Sequence, residues 1–102
     1  MLLLFAVTLL LNAQTVDEIK TKAAAGDIEA QVRLAAMLAD GDGVSQDCTE
    51  ALKWARLAAQ KGDSKAQVLL GGMFYRGLGT TKDVKEAAMW LLRSRVRINS
   101  HS

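Results

Sequence analysis

A chain of 102 residues has room for one domain, and with half of those residues hydrophobic it falls among globular rather than disordered chains. A formal net charge of +2 is too small to call for nucleic acid, and the single cysteine, Cys48, excludes an intrachain disulfide, a CxxC pair and a four-ligand zinc site. Proline is absent while Ala, Leu, Lys and Glu are abundant, so the composition favours helices throughout.

The run from Leu2 to Leu11 carries no charge and is followed by the small residue Ala13. It is too short to span a bilayer, which takes about 20 apolar residues. Residues 1–13 are therefore expected to be a signal peptide cut near Ala13. The mature chain would be exported, periplasmic or secreted, with no stable membrane span left after signal removal. The alternative is that Phe5 and the leucines form a buried helix of the fold. Residues 14–25 read as a leading helix over Val16 to Ala25, with Thr15 and Glu18 spaced as a capping box.

The rest of the chain writes one 36-residue unit twice, over 26–61 and 62–97, with 13 positions identical between the copies. Gly26 and Gly62 close a helix, and Asp27 and Asp63 cap the next one. In that next helix Ala30, Leu34, Met37 and Leu38, and in the second copy Ala66, Leu70, Met73 and Phe74, recur at the spacing of one helical face. Gly41 and Gly43, like Gly77 and Gly79, then break the helix and reverse the chain.

Asp47 with Glu50, and Asp83 with Glu86, open the second helix of each unit. Its buried face is expected to carry Ala51, Trp54, Ala55 and Ala58, answered by Ala87, Trp90, Leu91 and Ser94. Each unit is thus a hairpin of antiparallel helices. Gly71 and Gly72, inside a helix at a cost of about 1 kcal/mol each relative to Ala, are assigned to close helix packing. Residues 98–102 are expected to form a flexible tail.

Chemistry is scarce. The one histidine, His101, stands next to the end of the chain, too loosely held for catalysis. The loop Asp40-Gly41-Asp42-Gly43 resembles a calcium loop in composition. Aligned on Gly43, however, it puts Leu38 at the first ligand position and Thr49 where the bidentate Glu belongs. Asp47 and Asp83 read as caps, Trp54 and Trp90 as core. No cofactor or metal is expected, and the chain is not expected to be an enzyme.

The residues Gly26, Ala30-Gln31, Leu34, Met37, Gly41, Gly43-Val44, Asp47, Ala51, Trp54, Ala58-Ala59 and Gly62 resemble the Sel-1-like repeat pattern. The second copy, with Ala66-Gln67, Leu70-Gly71, Met73-Phe74, Gly77, Gly79, Asp83, Ala87 and Trp90, resembles it too. The resemblance implies an all-α fold, an α/α superhelix or solenoid of antiparallel helical hairpins, here two full repeats plus a leading helix. It also implies a non-catalytic adaptor or scaffold that binds another protein or peptide on a concave face. On that face it places a second stripe of the first helix of each unit, Glu29, Arg33, Ala36 and Asp40, then Lys65, Leu69, Gly72 and Arg76. Cysteine-rich members of the family, with paired cysteines in each repeat, suggest the alternative of an exported cell-wall-related or β-lactam-hydrolysing enzyme. So short an array is also expected to be marginally stable or to self-associate.

Overall fold

In the computed structural model residues 16–99 are described, with side-chain surroundings given as far as Arg95. The expected signal peptide, the Thr15 cap and His101 lie outside the described residues. Helix α1 covers 16–24, α2 Ile28–Asp40, α3 Cys48–Gln60, α4 Ser64–Arg76 and α5 Val84–Asn99. No strand occurs among the described residues.

Four aspartates set the helix starts. Asp27, Asp47, Asp63 and Asp83 each accept a hydrogen bond from the backbone N–H three residues on, that of Ala30, Glu50, Ala66 or Glu86, at 2.9–3.1 Å. Each bond satisfies an amide that the first helical turn leaves without a partner, and such a cap is worth about 1 kcal/mol. Gly41 and Gly77, both at φ 71°, end α2 and α4 in the left-handed conformation. The loops that follow are tied back identically, Asp47 N–H donating to the Leu38 carbonyl at 2.9 Å and Asp83 N–H to that of Phe74 at 2.8 Å.

Helices α2 and α3 pack as one hairpin, α4 and α5 as another, and α3 against α4 joins them. Because α3 lies between α2 and α4, its buried side chains are all alanines, Ala51, Ala55, Ala58 and Ala59. Small residues let both neighbours approach closely. The volume is supplied by α2 and α4, from Leu34 and Leu38 and from Leu70, Met73 and Phe74.

Three packing expectations change. Trp54 is only half-buried, whereas Trp90 is buried beneath the guanidinium of Arg93, 4.9 Å from the ring centroid. Leu91 is 40% exposed, although the matching Ala55 is fully enclosed. Helix α4 covers that side of α3, and among the described residues no helix does the same for α5. Finally, Gly71 and Gly72 part company. A Cβ on Gly71 would stand 2.9 Å from Leu91 Cγ and 3.2 Å from the Ala87 carbonyl oxygen, so close packing accounts for it. A Cβ on Gly72 would meet nothing within 4 Å. Packing does not account for Gly72.

The repeats are keyed together by polar groups that the helical periodicity leaves without a role. Gln31 Nε2 donates to the Ala23 carbonyl at 3.0 Å, and Gln67 Nε2 to the Ala59 carbonyl at 3.1 Å. Both glutamines are buried, so each side chain binds the last turn of the preceding helix to the next repeat inside the core. Lys61 Nζ adds an exposed link to the Gly26 carbonyl at 3.3 Å.

Candidate functional site

The first helices of the two hairpins, α2 and α4, border a trough of about 390 Å³. Ala39, Asp40 and Gln46 form its wall on the first-repeat side, and Val68, Leu69, Gly72, Met73, Arg76 and Leu78 complete it. The floor is apolar. Met73 is buried, Leu69 and Leu78 are half-buried, and Val68 is 49% exposed. Asp40 and Arg76 stand exposed at the rim, and Gln46 is held by donating through Nε2 to the Ala39 carbonyl at 2.9 Å. Among the described residues the one ion pair is Lys53 with Glu50 at 3.9 Å, so Asp40 and Arg76 do not neutralise each other.

One repeat earlier, a second trough of about 540 Å³ is lined by Val16, Ile19, Arg33, Ala36, Met37, Asp42 and Gly43. Arg33, Ala36, Met37 and Asp42 are the residue-for-residue equivalents of Leu69, Gly72, Met73 and Leu78. One row of lining positions thus recurs with different chemistry, charged at Arg33 and Asp42 in one trough and apolar at Leu69 and Leu78 in the other, while the facing walls differ, Val16 and Ile19 of α1 in the first and Ala39, Asp40 and Gln46 in the second. Glu29 and Arg33 also line a smaller hollow of about 200 Å³ beside Glu18, Ile19, Lys22, Asp27 and Ala30 of α1 and α2. Lys65 is exposed on α4. A wider depression of about 660 Å³ is lined by Asp17, Glu18, Thr21 and Lys22 of α1. Its described lining belongs to a single helix.

The structure therefore brings Asp40, Leu69, Gly72 and Arg76 together, and it sets Arg33 and Ala36 apart from them with α1. Sequence periodicity missed Val68, Gln46 and Leu78. A stripe read along one helix leaves out its neighbouring row and the loops. For Leu78 the available signal was its difference from Asp42 in loops that share only their two glycines and the closing aspartate.

Among the described residues, groups suited to catalysis do not converge. Among the described residues no cluster of three or more His, Cys, Asp or Glu side chains is placed to hold a metal ion. Cys48 is a free, half-buried thiol in the first turn of α3. Asp47 and Asp83 are engaged as caps. Among the described residues no helix is long and apolar enough to cross a membrane.

Stacked antiparallel hairpins, keyed repeat to repeat, define the chain as an α/α solenoid. The Sel1 repeat family model matches residues 28–63 and 64–94, and the chain belongs to that family. No curated protein matches it. Among solved structures it is similar to c5321, a protective antigen present in uropathogenic Escherichia coli strains and displaying an SLR fold. Identity is 35% and the TM-score 0.80, over 83% of this chain and 18% of that one. A Sel1 repeat protein from Oxalobacter formigenes is similar at 37% identity and a TM-score of 0.75, over 78% of this chain and 23% of that one. The chain thus spans about a fifth of the length of these relatives.

Proposed function

We propose that this chain is a non-catalytic interaction module that holds another protein or peptide on the α2/α4 face. The observation that carries the reading is the trough between the two helices, with an apolar floor and, at its rim, charges of opposite sign that do not pair with each other. Such a surface offers burial for affinity and charge for selection. Membership of a repeat family suited to protein interaction supports it.

The test is a pull-down with the purified chain and three charge-reversed variants, Arg33→Glu, Arg76→Glu and, as a control on the exposed face of α3, Lys53→Glu. A partner retained by the parent and by Lys53→Glu is expected to be bound about thirtyfold or more weakly by Arg76→Glu, the effect of losing one interfacial charge pair. Equal retention by all variants, no partner at all, or turnover of a chromogenic β-lactam by the purified chain would overturn the reading.

Export is part of the proposal, with residues 1–13 acting as a signal peptide. Intact mass of protein recovered from the periplasm or medium is expected to lack them. A retained Met1 contradicts it.

A further inference from the structure

We infer that the trough between α2 and α4 takes a peptide whose bulky apolar side chain seats over Gly72, with an acidic side chain on one flank for Arg76 and a basic one on the other for Asp40. The inference rests on the proposed interaction role and names the chemistry of its partner.

Gly72 is the first ground. A glycine inside a helix costs about 1 kcal/mol relative to alanine, and folding normally recovers that through close packing. Its neighbour Gly71 does so, because a Cβ there would press on Leu91 and on the Ala87 carbonyl. Gly72 has open space where its Cβ would be, and the first repeat carries Ala36 at the equivalent position. The fold therefore gives no reason for the missing side chain. Its effect is to lower the floor of the trough.

The second ground is a change in chemistry at lining positions that the two hollows share. Arg33 and Asp42 in the first become Leu69 and Leu78 in the second, and the half-exposed Val68 adds a further apolar wall. The buried Met73 beneath is a flexible, polarisable floor that adapts to aromatic and branched side chains alike. A volume of about 390 Å³ lies in the range of pockets that seat an anchoring group. The third ground is charge, since Asp40 and Arg76 both line the trough and do not pair with each other. Apolar residues together with one charge of each sign match a peptide segment with an acid, an anchor and a base in short succession.

The test begins with a random peptide display library panned against the full chain. Synthetic peptides of the enriched sequence are then titrated by fluorescence anisotropy. The expected consensus is an aromatic or large aliphatic residue within a few positions of both an acid and a base. Gly72→Leu, which fills the floor, and Arg76→Glu are each expected to weaken binding at least tenfold. Leu69→Arg, which copies the first repeat, is expected to do the same, and Lys53→Glu is expected to leave affinity unchanged. Thermal melting of each variant confirms that it is folded. Enriched peptides insensitive to Gly72→Leu, Leu69→Arg and Arg76→Glu, but lost with Arg33→Glu, overturn this inference and leave the interaction role standing. No enriched peptide at all overturns both. Occupation of the trough by a second copy, seen as a dimer in sedimentation that Gly72→Leu abolishes, also overturns the inference.

Discussion

Replacing Gly79 with alanine is expected to destabilise the chain by about 3 kcal/mol, while the same change at the matching Gly43 costs only about 1 kcal/mol. Both glycines hold a left-handed backbone, φ 73° and 75°. An alanine pays that conformational term equally at either site. The surroundings differ. Around Gly43 an added Cβ would find Met37 Cε at 3.6 Å and Val16 Cγ2 at 3.9 Å, ordinary contact with movable side-chain ends. At Gly79 it would fall on the carbonyl group of Cys48, backbone of the first turn of α3, which cannot swing aside. The second loop would have to lift from the first repeat, and α4 and α5 with it. For a domain of this size about 3 kcal/mol corresponds to a fall of roughly 12–24 °C in Tm. Thermal unfolding of the two variants checks the difference, and equal losses would mean that the loop does not lock the repeats.

The second large effect is expected at Gln67. Its amide donates to the Ala59 carbonyl from a site only 1% exposed, and its own Oε1 is buried without a partner. Gln67→Glu keeps the shape and removes the donor when the new carboxyl is ionised. Ionised, it would be a desolvated charge facing a carbonyl oxygen. Its folded-state pKa should therefore be raised by roughly 3 units, equivalent to about 4 kcal/mol. The sign follows from linkage. Above the unfolded-state value of about 4.3 the folded chain holds a proton that the unfolded chain has released, so stability falls as pH rises through the window. Denaturant midpoints of Gln67→Glu are expected to lie close to the parent's near pH 4 and far below them at pH 7, each compared at the same pH. The nearly isosteric Gln67→Met should lose about 1 kcal/mol at either pH. A pH-independent deficit in Gln67→Glu would show that water reaches the site.

The sequence legibly encodes whatever a residue does for its own stretch of backbone. Asp27, Asp47, Asp63 and Asp83 cap the helix that starts beside them, and the aligned glycines close turns within a few residues. The alternation of Ala, Leu and Met likewise marks the face each helix buries. Roles that depend on another element are not legible in that way. Gln31 and Gln67 stand among the repeated identities, yet each bonds a carbonyl eight residues upstream across a turn, and no periodicity points there. Leu91 sits where helical spacing demands burial, but whether it is covered depends on a neighbouring helix. The trough combines two helices with two loops, so only Asp40, Leu69, Gly72 and Arg76 of its lining could be found from a single stripe. Most of what the copies share describes the scaffold, and the trough takes its distinct chemistry from positions where they differ, Asp40, Leu69, Gly72, Arg76 and Leu78.

Gly72 tests that division most directly, because its missing side chain serves the trough and not the packing. Thermal unfolding of Gly72→Ala and Gly71→Ala, measured side by side, is the decisive comparison. Gly72→Ala is expected to raise stability by about 0.5–1 kcal/mol, a gain of roughly 2–8 °C in Tm, since alanine is the better helix former and its methyl has room. Gly71→Ala is expected to lower Tm as its methyl meets Leu91 and the Ala87 carbonyl. A lower Tm for Gly72→Ala would make Gly72 part of the scaffold and contradict the account.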